Sequence, residues 1–151
     1  MVLRGVDRVV GPGRLSPALN RFAPQPIRPV GALKDAHVAL AWVMIVANAL
    51  AGGWALAAHR WESLRTPALW WFTGVAQVLV VVQVIVGVAL VNVEDVEAPQ
   101  FHMLYGFSAV IAVAIVYSYR HLAGKLYLLY GVGGLFIMGL GIRELFIGGT
   151  R

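Results

Sequence analysis

The sequence predicts an all-α protein: a four-helix transmembrane up-down bundle preceded by a disordered or extended N-terminal tail. The chain has 151 residues, of which 60% are hydrophobic and only 13% are charged, whereas soluble domains carry about a quarter charged residues. Four apolar stretches lie near 36–58, 68–92, 101–119 and 126–147, and each approaches the roughly 20 residues that a helix needs to cross a bilayer. These stretches are continuous and do not alternate, which argues against membrane strands.

Residues 1–34 form the predicted tail, separate from the bundle at 35–151. The tail contains five of the seven prolines and six basic residues. This composition favours an extended chain that lies on lipid headgroups. It has no apolar core of signal-peptide length, so we do not interpret it as a cleaved leader.

The first helix is expected to open at Asp35 or Ala36 and to close around 59–61. A short polar loop follows, and Pro67 is well placed in the first turn of the second helix. That helix carries an interfacial pair, Trp70 and Trp71, and ends before the acidic loop at 94–99.

The third helix is expected from Phe101 to about Tyr119, with a tight turn at 120–125. The fourth is expected to end at Arg143 and Glu144, before a short Gly-rich tail. Short loops make consecutive helices antiparallel neighbours, so both termini lie on one side of the membrane. Counts of Lys and Arg on the two sides conflict, so the positive-inside rule leaves the orientation open.

The charge and the absence of cysteine exclude several classes of function. The net charge is +5 without a basic stripe, so we expect membrane lipids as partners and no nucleic acid. Zero Cys removes disulfides, thiol redox chemistry, iron–sulfur clusters and thioether-attached haem. No nucleophile elbow or P-loop is present, so the sequence does not support an enzyme. The expected location is integral to a bacterial cell membrane.

Two histidines, His37 and His102, begin the first and third helices at the same depth. At about 100° per residue, Ala41 shares a face with His37, and Gly106 shares a face with His102. Haem edges pack against small residues, and neutral imidazole is the usual axial ligand of haem iron. The pattern therefore predicts a haem b site with both histidines as metal ligands, and Arg143 is a candidate partner for a propionate.

Other interpretations of these polar groups stay open. Either histidine could be an ordinary interfacial residue, and His59 and His121 look like basic anchors at helix ends. A divalent metal such as Zn²⁺ could use carboxylates together with the first pair; the candidates are Asp35, His37, Glu94, Asp95, Glu97 and His102. In the second helix, Gln77 and Gln83 are expected to form interhelical hydrogen bonds.

A stripe of small residues marks one face of the fourth helix. It comprises Tyr127, Gly131, Gly134, Met138 and Gly141, at steps of four and three. Such stripes allow close helix packing in lipid, so a helix seam is expected, although a flat cofactor would need a similar groove.

The order of these motifs resembles one four-helix half of haem A synthase. The similarity covers about residues 35–120 and is carried by "AH" at 36–37, "AHR" at 58–60, "QVIVGVAL" at 83–90 and "PQFHMLYG" at 99–106. The resemblance implies that His37 and His102 are paired axial ligands and that the termini lie outside the cytoplasm. Only one bundle is present, so it implies haem holding rather than haem A synthesis. The chain also resembles an uncharacterised group of four-span actinobacterial membrane proteins.

Two hypotheses of function follow. The first is a membrane protein that holds a single b-type haem between two helices, for electron transfer or haem handling beside a respiratory or other membrane complex. The second is a cofactor-free accessory or scaffold subunit that packs through its Gly face and basic tail. A metal or proton pathway through the acidic loop is a third interpretation.

Overall fold

A computed structural model describes residues 30–93, 97–121 and 123–148, and within these ranges the chain forms four long helices and no strand. The helices are α1 (Val30–Arg60), α2 (Pro67–Val93), α3 (Gln100–Ser118) and α4 (Leu126–Gly148). Each helix is long and apolar enough to span a membrane. The predicted all-α transmembrane bundle is confirmed, and the protein is an integral membrane protein.

Two predicted helix boundaries are wrong. The first helix begins at Val30 rather than at Asp35 or Ala36, since residues 30–34 contain no proline that would interrupt it. Residues 30–34, which were expected in the tail, belong to this helix, and the predicted tail conformation at 1–29 lies outside the described residues. The fourth helix continues past Arg143 to Gly148. Pro67 opens α2 as predicted.

The helices surround the core so that α1 and α3 lie on a diagonal. α1 packs most extensively against α4 and also against α2, while α3 packs mainly against α4 and only slightly against α2. Large apolar side chains cover the outside, as expected for lipid contact; they include Trp42, Val46, Val78, Ile85, Phe107, Ile111 and Phe136.

The Gly stripe of α4 is the seam with α1. A Cβ added at Gly134 would lie 3.0 Å from the Cα of Gly52, and one added at Gly131 would lie 2.6 Å from the Leu56 side chain. Backbones approach this closely only where side chains are absent, which maximises dispersion contact in lipid. The interpretation as a helix seam is thus confirmed. The stripe is used inside the bundle and is not free to bind a partner.

A buried amide ties α1 to α2 in the middle of the bundle. Asn48 is only 1% exposed, and its Nδ2 donates to the carbonyls of Met44 at 2.9 Å and Ala76 at 3.0 Å. Both acceptors are backbone oxygens of helices, so the bond fixes the rotation of α1 relative to α2. That rotation decides which residues of α1 point inward at the helix ends.

Aromatic and basic side chains hold one end of the bundle together. This end contains the connections at 61–66 and 119–125 and is here termed the loop end. Trp54 Nε1 donates to the carbonyl of Leu64 at 3.1 Å, and Trp70 packs against the rings of Tyr127 and Tyr130. Arg65 Nε donates to the carbonyl of Ala58 at 2.9 Å. Such groups are typical of the membrane–water interface.

Candidate functional site

At the other end, here termed the terminal end, the structure brings His37 and His102 into contact. Their ring centroids are 6.1 Å apart, and the ring planes are inclined by 64°. The two residues come from the diagonal helices α1 and α3, so their contact closes the interior of the bundle at this end. The expected convergence of the two imidazoles is therefore present, while their role as iron ligands stays a prediction.

α2 holds the ring of His37. Gln83, 2% exposed, places its Nε2 at 3.2 Å from both the Nε2 and the carbonyl oxygen of His37. An amide N–H donates, so in this arrangement Nε2 of His37 accepts and the ring hydrogen lies on Nδ1. That Nδ1 atom is buried and has no hydrogen-bond partner. A Cβ at Gly87 would lie 3.1 Å from Cε1 of the ring, so the imidazole lies directly on the α2 backbone.

α4 holds the ring of His102 through a single residue. Nδ1 of His102 lies 3.1 Å from the carbonyl oxygen of Glu144, and Nε2 lies 3.5 Å from the Oε1 of the same residue. A carbonyl oxygen only accepts, so Nδ1 carries the hydrogen. Glu144 is 8% exposed. A carboxyl group so deep in a membrane helix needs a partner, and His102 supplies it.

Glycines make room for this cluster on three helices. A Cβ at Gly106 would lie 2.9 Å from Glu144 Oε1, and one at Gly148 would lie 3.0 Å from Nδ1 of His102. Gly87 lies against the His37 ring, so each ring and the carboxyl group of Glu144 pack against one glycine. Ala41, the small residue predicted beside His37, is buried. Gly106 packs against the Glu144 carboxyl group.

The sequence predicts Arg143 as the residue of α4 that takes part in the site. In the structure, the side chain of α4 that contacts a histidine is that of Glu144. Arg143 is exposed, whereas Glu144 is buried. A signal for Glu144 was present, because it lies three residues after Gly141 and so continues the inward-facing stripe by one helical step. The predicted pairing of Arg143 with a propionate stays a prediction.

The second histidine pair occupies a different environment. His59 and His121 are exposed, and the backbone oxygen of His59 accepts a long hydrogen bond of 3.5 Å from Arg65. Both lie at helix ends in the loop end. This placement fits their interpretation as interfacial anchors.

The predicted metal cluster does not assemble within the described residues. Asp35 and Glu97 are exposed, and across the described ranges no group of three or more His, Asp or Glu side chains is placed to hold a metal ion. Glu94 and Asp95 lie outside those ranges.

Comparisons with protein-family models, with curated proteins and with solved structures found no match for this chain. The resemblance to haem A synthase therefore stays a prediction. The site consists of two imidazoles in contact, each held by one polar residue of a neighbouring helix and each lying on glycine.

Proposed function

We propose that this protein holds one b-type haem between His37 and His102 and serves electron transfer or haem handling in a bacterial cell membrane. The observation that carries the proposal is the 6.1 Å separation of the two ring centroids. Two metal–nitrogen bonds of about 2 Å and two ring radii of about 1.1 Å sum to roughly 6 Å. The centroids are thus as far apart as those of two imidazoles on one metal, while each Nε2 contacts Gln83 or Glu144.

The chemistry of the donor set supports the same proposal. A histidine that binds a metal commonly donates its other ring N–H to a backbone carbonyl or carboxylate, which fixes the tautomer. His102 has this arrangement, because Nδ1 donates to the Glu144 carbonyl. His37 retains a buried, unpartnered Nδ1, which is costly unless the site serves a purpose. Bound haem would supply one-electron chemistry at this end of the bundle.

The packing around the rings also fits a flat group. Gly87 lies against the His37 ring and Gly106 against the Glu144 carboxyl group, and haem edges pack against such small residues. Ionisable side chains within membrane spans are expensive and usually functional. The cluster combines two imidazoles and one carboxyl group. Apolar side chains at these positions would stabilise the bundle without the free-energy cost of burying ionisable groups.

An absorption spectrum of the purified protein tests the proposal. Wild-type protein expressed with haem available should show a Soret band, and His37→Ala and His102→Ala should each abolish it. The size-exclusion profile of His37→Ala should stay unchanged, since the α1–α4 seam does not involve this histidine. A colourless wild type would reject the proposal.

The second candidate function, a cofactor-free accessory subunit, is favoured by a separate observation. An apolar groove on α1 is lined by Ala49, Gly53 and Ala57 together with Trp54 and Phe72. A Cβ at Gly53 would meet nothing within 4 Å, and small residues at four-residue spacing admit a partner helix in lipid.

This candidate predicts a protein without absorbance above the aromatic band. It also predicts that Gly53→Leu releases a co-purifying membrane partner while Gly74→Leu, an equally open position on α2, retains it. A haem spectrum together with an unchanged set of partners in Gly53→Leu would reject it.

A further inference from the structure

The apolar groove on the outer surface of α1 and α2 has a fixed shape. Its lining includes three small residues at four-residue spacing along α1: Ala49, Gly53 and Ala57. The ring of Trp54 is held beside them, because its Nε1 donates to the carbonyl of Leu64 at 3.1 Å and the ring packs against Phe72 at a centroid distance of 6.2 Å. The groove has a volume of about 600 Å³, within the range of roughly 300–1,000 Å³ that is typical of small-molecule sites.

A basic residue lies where this groove reaches the loop end. Arg60 follows Gly53 by seven residues, so it returns to within about 20° of the same face of α1 and lies about 10 Å nearer the loop end. Arg60 is exposed, and in the part of the chain that the structure describes no ion pair involves it. Glu62 is the one acidic residue in the connections of the loop end, and its carboxylate pairs with Arg65 at 2.9 Å. The charge of Arg60 is therefore available to a ligand.

We propose that the groove binds one anionic phospholipid, with an acyl chain along Gly53 and Trp54 and the headgroup phosphate beside Arg60. A phospholipid carries an apolar chain toward the membrane centre and a negative charge at the interface, in the same order as the groove and Arg60. The lipid site goes beyond the proposed haem binding and does not depend on it, because it lies at the end of the bundle opposite His37 and His102.

The charge beside the groove favours a lipid over the partner helix of the accessory-subunit candidate. Transmembrane helices commonly carry Trp, Tyr, Lys and Arg where they meet the interface, and none of these side chains brings a negative charge to Arg60. A phosphate does, and the arginine guanidinium forms paired hydrogen bonds with phosphate oxygens. An acyl chain gains little from exchanging one apolar surrounding for another, so the headgroup charge is what selects the lipid.

Native mass spectrometry of the purified protein tests the proposal. Protein in detergent is mixed with equal amounts of phosphatidylglycerol, which is anionic, and phosphatidylcholine, which is zwitterionic. Wild type should retain one phosphatidylglycerol in preference to phosphatidylcholine. Arg60→Gln should lower this preference about fivefold, which converts to roughly the 1 kcal/mol that one basic residue contributes at an anionic lipid surface. Gly53→Leu fills the groove and should lose the retained lipid, while the bundle still folds, because a Cβ at Gly53 meets nothing within 4 Å.

Two matched variants should behave like wild type. Arg120→Gln removes an exposed charge at the same end of the bundle, and Gly74→Leu adds a side chain at an equally open position on α2. An equal loss of preference in Arg60→Gln and Arg120→Gln would overturn the proposal, because the overall charge of the loop end would then select the lipid. Unchanged lipid retention in Gly53→Leu would also overturn it, and release of a co-purifying membrane protein by that variant would assign the groove to a partner helix instead.

Discussion

Each end of the bundle contains one histidine of α1 and one histidine near an end of α3, yet the environments differ. At the terminal end, His37 and His102 are partly buried, contact each other and are held by polar groups of α2 and α4. At the loop end, His59 and His121 are exposed among basic and aromatic side chains. Depth in the membrane alone therefore does not make a site.

The difference comes from what the neighbouring helices present. α2 and α4 offer Gly87, Gln83 and Glu144 toward the terminal end, which leaves space and supplies hydrogen-bond partners. Toward the loop end the same helices offer Trp70, Tyr127 and Tyr130, which fill the space. Small and polar residues surround the imidazoles at the terminal end, whereas aromatic residues pack against each other at the loop end.

The largest effect on folding is expected from changing the α1–α4 seam, which connects the two ends. Gly134→Leu should prevent folding, because even a Cβ at this position would lie 3.0 Å from the Cα of Gly52 and α1 would have to separate from α4. Gly139→Leu is the matched control, since a Cβ there meets nothing within 4 Å. Yield of monodisperse protein in detergent measures the effect. Normal yield of Gly134→Leu would contradict the described seam.

The next largest effect is expected from removing each of the two histidine pairs in turn. The double variant His37→Ala/His102→Ala should lose the Soret band completely, whereas His59→Ala/His121→Ala should retain it in full. The reason is that only the first pair has converging rings. Spectra of the two purified double variants make the comparison. Loss of the band in the second variant would mean that the loop end takes part in haem binding.

The fold and part of the site could be predicted from the sequence for physical reasons. Helices in lipid must satisfy their own backbone, so long apolar stretches separated by short loops leave few alternatives to an up-down bundle. Helix phase then placed His37 and His102 at one depth. The start of α1 was wrong by five residues or more, because Asp35 suggested a helix start that the structure does not use.

The remainder of the site could not be predicted, because it depends on how each helix is rotated about its own axis. Gln83 was expected to form an interhelical hydrogen bond, but its partner His37 could not be identified, since no single-helix pattern fixes how α2 turns toward α1. Glu144 was assigned to a helix end beside Arg143, although its spacing from Gly141 placed it on the inward stripe. Continuing that stripe past the first charged residue would have found it.

A smaller effect is expected from filling the space behind His37. Gly87→Leu should lower the free energy of unfolding by about 1–3 kcal/mol, as overpacking does in protein cores, and should weaken haem binding, because a Cβ already lies 3.1 Å from the His37 ring. Gly74→Leu, on the same helix in open space, should change neither quantity. Thermal unfolding and haem titration of both variants provide the measurement. Equal behaviour of the two would show that the glycine at the terminal end has no special role.

The smallest effect is expected at the loop end. Arg65→Leu removes the hydrogen bond to the Ala58 carbonyl, the contact of the guanidinium with the Tyr127 ring at 5.1 Å, and two exposed contacts, with Glu62 and the His59 carbonyl, that contribute little. We expect a loss of about 1 kcal/mol in stability, the usual net value of one such bond. Arg120→Leu is the control, because the hydrogen bond of its exposed guanidinium and its contact with the Tyr117 ring at 4.0 Å both lie within one turn of the chain.

The spectrum of haem-loaded Arg65→Leu should equal that of wild type, since Arg65 lies at the end opposite His37 and His102. The two ends would then be shown to act independently: one fixes the loops at the membrane surface, and the other contains the polar cluster. A shifted Soret band in Arg65→Leu would instead indicate that strain at the loop end passes through α1 to His37, a coupling that the rigid contact of Asn48 with Ala76 could transmit.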